Sequence, residues 1–209
     1  MVDTRSMSLR RGGTTRGTER QRSIERKRPT TSIQQASEGS PFASFRARST
    51  MGIAASELSK YVIRPTLLYL GRPSAAAEAL LLGTAATQSA LGEALHQRQG
   101  YGLYGIGAAS HLQLWDRYLA RNPDLASHVR GLASQQAFLI APHLELTVNL
   151  RYATAIAWLL VESQPLPLPG ADDLPGLARI WCRVFRPEGK PQEFVNAWHC
   201  CIDDFSQAA

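Results

Sequence analysis

The stretch from Leu80 to Leu119, LLLGTAATQSALGEALHQRQGYGLYGIGAASHLQLWDRYL, decides how the rest of the chain is read. It spells helix, glycine-rich loop, helix. The first helix is expected to open around Ser74 and run to Leu95, with an apolar surface through Leu80, Leu81, Leu82, Ala85, Leu91 and Leu95. That recurrence approximates the i, i+3, i+4 pattern of a buried helix. The second helix should turn Leu112, Trp115 and Leu119 inward. Between them, Gly100, Gly102, Gly105 and Gly107 allow backbone conformations that other residues resist. A helix facing such a loop either builds a cleft or simply turns the chain.

Working outward, three segments carry a resemblance. GTAATQSALG resembles the catalytic segment of phage-encoded lytic transglycosylases of the lysozyme superfamily, usually GTAAQESxLG. GLYGIGAASHLQLWDRYL is similar to their cleft segment, GxFQMEPATHxDxWxxYL. NLRYATAIAWLL, Asn149 to Leu160, is similar to their NLxYATAMA helix. The similarity spans roughly Leu58 to Ile202. It implies a mostly α, lysozyme-like helical domain. It also implies a glycan cleft, whose remnants here would be Ser89, Tyr104, His111 and Tyr152.

The departures carry more meaning than the matches. The family's catalytic Glu falls on Gln88, and the Gln and Glu of the cleft segment fall on Gly105 and Gly107. Glycosidic cleavage of this type needs a carboxylic acid, held protonated in a poorly solvated pocket, to protonate the leaving oxygen. An amide cannot supply that proton, and losing a general acid costs roughly 10²–10⁴-fold. The resemblance therefore implies a pseudoenzyme, a kept fold with an erased site. A relocated acid has two candidates. Glu93 lies about 140° further round the helix than Gln88, and Glu78 about 80° round and roughly 15 Å along the axis. Both read as solvated helix residues instead.

The 209-residue chain has room for one domain plus an extension. Its formal charge of +6 is uneven. Residues 1–50 hold eleven Lys and Arg against four acids, and the remainder has twelve against thirteen. The basic character belongs to a tail of Arg, Ser, Thr and Gly, without aromatic residues before Phe42 and Phe45. Alone, such a segment cannot bury enough surface to offset its chain entropy. Residues 1–53 thus read as an extended arm ahead of a helical domain over 54–209. Its expected role is anchoring to neighbouring proteins through Arg10, Arg11, Arg20, Arg22, Arg26 and Arg28, with Phe42 and Phe45 as apolar plugs. Clustered arginines also suit nucleic-acid phosphates, but no interleaved aromatic platform accompanies them. A transit peptide is a further reading of an Arg/Ser-rich start, against which Glu19 and Glu25 interrupt the run.

The domain itself reads as helices. SELSKYVIRPTLLYL is expected to be capped at Ser56 and broken or kinked at Pro65, with Leu67, Leu68 and Leu70 packed inward. Asn122-Pro123-Asp124 starts a helix lined by Leu125, Val129 and Leu132. Pro142 opens a second central helix over His143–Ser163, whose stripe is Val148, Tyr152, Ala155, Ile156, Leu159 and Leu160. A proline-rich connector, residues 164–176, leads to two short helices. The first carries Leu177, Ile180, Trp181, Val184 and Phe185, the second Phe194, Trp198 and Ile202.

The three cysteines, Cys182, Cys200 and Cys201, include an adjacent pair and lack zinc-ligand spacing, so they read as reduced thiols. No metal or cofactor site is expected. There is no phosphate-cradling loop with Lys-Ser or Lys-Thr and no nucleophile elbow. Nor is there a secretory h-region or a membrane-spanning stretch. Taken with the resemblance, the chain reads as a structural component of a tailed-phage virion, in the tail, baseplate or head–tail region. It would be made in the host cytoplasm and present in multiple symmetric copies among other virion proteins, with residual peptidoglycan binding in its cleft. The alternative is a virion-associated lytic transglycosylase with a rearranged active site.

Overall fold

Ser74 starts the helix on which the domain is built. Its hydroxyl accepts from the Ala77 N–H at 3.3 Å, satisfying one of the orphan donors of the first turn. The computed structural model describes residues 52–97 and 100–203. The arginines of the arm and its Phe42 and Phe45 lie outside them. The described part is mostly α, with one two-residue strand pair.

Helices α1 (Ala55–Leu58) and α2 (Arg64–Tyr69) are joined by a π-helical turn, Ser59–Ile63. Ser56 lies inside α1, and Ala54 occupies the cap position without a side-chain bond. Pro65 ends no helix here. It has no N–H to place in the ladder, and the wide π turn before it carries the chain through. Leu67 and Leu70 are buried as expected, whereas Leu68 is 58% exposed.

The central α3 spans Ala75–Ser89, six residues shorter than the apolar pattern suggests. Ala90 and Leu91 take positive φ values of 48° and 57°, which ends the helix. Leu91 is still buried, but from the turn beyond it. The glycine segment then forms strands β1 (His96–Gln97) and β2 (Gly100–Tyr101), paired antiparallel with His96 opposite Tyr101. Gly102, at φ 67°, lies so close to the next layer that a Cβ there would stand 1.7 Å from the Leu146 carbonyl oxygen.

Helix α4 (Ala108–Gln113) continues through a π turn, Leu114–Tyr118, and a 3₁₀ turn, Leu119–Arg121. This change of pitch rotates the inward face. Leu114 and Leu119 are buried and Leu112 is half exposed. Helix α5 (Pro123–Leu132) follows, then α6 (Gln135–Ile140). The single helix expected over His143–Ser163 is two, α7 (Glu145–Val148) and α8 (Leu150–Glu162). Asn149 leaves the helical region at φ −122°, ψ 96° and caps α8 by accepting from Tyr152 N–H at 3.1 Å. Val148 is consequently exposed, while Tyr152, Ala155, Ile156 and Leu159 are buried.

After the proline-rich connector, Asp173 caps α9 (Leu174–Val184) through Gly176 N–H at 2.8 Å. Helix α10 (Pro191–Trp198) and a terminal π turn, His199–Asp203, complete the described chain. Trp181 and Phe194 are fully buried and close the core over α3. A Cβ on Gly83 would lie 2.2 Å from the Phe194 ring. Among the described residues no helix is long and apolar enough to cross a membrane.

Candidate functional site

Gln88 sits in the last turn of α3, 4% exposed, at the floor of a cleft of about 440 Å³. One wall is the glycine segment, through Gly100, Gly105, Gly107 and Ser110. The other is the loop between α9 and α10, through Phe185, Arg186, Glu188 and Gly189, with Glu193 beyond it. The three positions singled out in the sequence, 88, 105 and 107, thus share one cavity. Among the described residues no group is hydrogen-bonded to the Gln88 amide. Gly105 has φ 59°, and a Cβ on it would lie 3.3 Å from Gln88 Cδ. That contact is tighter than ordinary packing, so the bare backbone at 105 and the buried amide at 88 fit one another.

The carboxylates of this cleft come from parts of the chain the motif does not cover. Glu188 and Glu193 are both exposed, and Glu193 accepts the Lys190 backbone N–H at 3.4 Å. Glu78 is bound elsewhere, accepting from Ser59 and from Arg64 at 2.8 and 3.1 Å. Burial works to raise its pKa, but hydrogen bonds from Arg64 and Ser59 and the Arg64 charge outweigh it and hold the carboxyl below its usual range. Glu93 lies in the turn after α3, exposed.

Ser89, Tyr104, His111 and Tyr152 do not line this cleft. All four are buried in the core. Ser89 ties the end of α3 to the glycine segment, donating to Leu103 O at 2.8 Å and accepting from Gly92 N at 3.0 Å. Tyr104 pairs with Thr154 Oγ1 at 2.9 Å, and burial raises its pKa strongly.

His111 and Tyr152 form a second polar cluster. His111 Nε2 is 2.7 Å from the Tyr152 hydroxyl, and its Nδ1 is 3.0 Å from His143 Nδ1. The Trp115 indole N–H donates to both His111 Nε2, at 3.2 Å, and Tyr152 Oη, at 3.1 Å. That donation assigns His111 Nε2 as acceptor, so Nδ1 carries the proton given to His143. Burial, with the neighbouring His143 charge, lowers the His111 pKa from 6.5 to about 4. Behind the cluster, Glu145 Oε2 accepts from Ser134 N and Asn149 Nδ2 at 3.1 and 3.0 Å, and its Oε1 has no partner among the described residues. The bonds among His111, Trp115 and Tyr152 tie α4 and the turn after it to α8. No sequence signal marked Glu145, Glu188 or Glu193, because tertiary packing alone brings them to these places.

Compared with known protein families, with characterised proteins and with solved structures, the chain matches none. Among the described residues no three His, Cys, Asp or Glu side chains converge as a metal site would require.

Proposed function

We propose that this chain is a structural component of a tailed-phage virion built on a lysozyme-like domain that has lost transglycosylase chemistry. In this reading the basic arm anchors it to neighbouring virion proteins. The observation that carries the proposal is the cleft floor. Where the resembled family places its acid, the cleft holds a buried amide, and the facing positions 105 and 107 have no side chains to support an acid or a developing charge.

Two measurements test it. Purified protein incubated with peptidoglycan should release no muropeptides, and Gln88→Glu alone should not restore release. Mass-spectrometric stoichiometry of particles carrying the protein should give a fixed copy number matched to the symmetry of the assembly. Variable, substoichiometric copies would refute the structural role.

A second reading, a rearranged peptidoglycan-cleaving enzyme, is favoured by one observation: Glu188 and Glu193 reach the cleft that holds Gln88. Turnover by the unmodified protein that is abolished by Glu188→Gln or Glu193→Gln would establish that reading in place of the first.

A further inference from the structure

A different hollow, of about 500 Å³, lies between the turns that follow α4, the end of α8 and α9. Arg117 and Arg121 project into it from one side and Arg183 from the other, with Gln113 and Ser163 as neutral hydrogen-bonding groups. Among the described residues no carboxylate lines it, and none of the three arginines takes part in an ion pair. Glu162, bonded to the lining residue Tyr118, is committed to other partners. It accepts from Arg72 at 3.0 and 3.1 Å, from the Tyr118 hydroxyl at 3.1 Å and from the Trp158 indole at 2.8 Å.

This concentration of charge is not a background property of the domain. Beyond residue 50 the chain has twelve basic residues against thirteen acidic ones. Three guanidinium groups gathered without a counter-charge repel one another, and that repulsion is relieved when an anion enters. Their planar forks match tetrahedral oxyanions, which accept bidentate pairs of N–H bonds. One carboxylate would leave two forks unused. A phosphate or diphosphate offers enough oxygens to pair with all three.

We propose that this hollow binds a phosphate-bearing ligand of at least two negative charges. The hollow adjoins the Gln88 cleft, with Ser110 lining both, but its three arginines line only the hollow, and its occupancy does not depend on the reading of that cleft. The phosphate comes either from a small phosphorylated molecule or from a nucleic-acid backbone.

Calorimetric titration of the full chain with pyrophosphate at low salt tests this directly. One saturable site is expected, weakened about tenfold or more by Arg183→Gln or Arg117→Gln, the loss of one charge-assisted fork. The control is Arg20→Gln with Arg22→Gln, which removes more charge from the chain but leaves the hollow intact and should bind as the unmodified protein does. Thermal melts confirm that each variant is folded. A short single-stranded oligonucleotide that displaces pyrophosphate, and loses that ability with Arg183→Gln, assigns the phosphate to a nucleic-acid backbone. Failure to displace assigns it to a small molecule. Three results overturn the proposal: no saturable binding, equal losses in the hollow and arm variants, or an oligoglutamate peptide that competes as well as pyrophosphate.

Discussion

Trp115 decides where the proton on His111 resides, and that proton has a consequence for stability. The imidazole is held neutral because its Nε2 lone pair is occupied by donors and the ring is buried. Its folded pKa of about 4 lies below the ordinary 6.5. Between these values the unfolded chain binds the proton and the folded chain does not, so unfolding gains as acid is added. The stabilisation is complete above about pH 6.5 and is lost as pH falls towards 4. The Glu78 carboxyl, also depressed, adds in the same direction at lower pH. The melting temperature should therefore decline from pH 6.5 to 4, and a His111→Gln variant should show a shallower decline over that window. An equal slope in both would show that another group controls it. Tyr152→Phe should cost about 1–2 kcal/mol, because it removes a buried hydroxyl from the ring's Nε2 and from the Trp115 N–H.

At the scale of elements, caps and close approaches matter more than propensity. Asn149 both ends α7 and starts α8, and its Nδ2 reaches Leu132 O at 2.8 Å and Glu145 at 3.0 Å. Asn149→Ala should lower stability by about 1–2 kcal/mol in chemical denaturation, more than a cap alone, because Glu145 then loses a buried donor. Gly83→Ala is a sharper test. In an exposed helix it would stabilise by about 1 kcal/mol. Here the methyl meets the buried Phe194 ring, so a net loss of about 1–3 kcal/mol is expected. The sequence shows why some of this was legible. Ser74 and the apolar run after it mark α3, and the Pro123 and Pro191 starts of α5 and α10 are written locally. The break at Asn149 was not legible, because NLRY continues the helical period of HLELTV without a Gly or Pro. The π turns that expose Leu112 and carry the chain past Pro65 are equally silent, since they shift pitch without changing composition.

At the scale of the whole molecule, the described helical core runs from Ile53 to Ile202, and residues 1–50 are expected to be dispensable for its folding. If the arm anchors the chain as proposed, deleting them should leave the cooperative melt of the domain intact while abolishing incorporation into an assembly. Normal copy number after truncation would defeat the anchoring reading. The candidate cleft was half visible in advance. Positions 88, 105 and 107 lie within twenty residues of one another and were found by pattern. The opposite wall comes from the loop after α9, a hundred residues on, where nothing in the local sequence announces it. The pairing of Gln88 with Gly105 has a historical meaning as well. With the amide packed 3.3 Å from where a Cβ would begin, and the backbone at φ 59°, a side chain at 105 is disfavoured while Gln88 stays as it is. Each position thus sets the selective value of change at the other. The order in which mutations arrive then governs which residues this pair can come to hold.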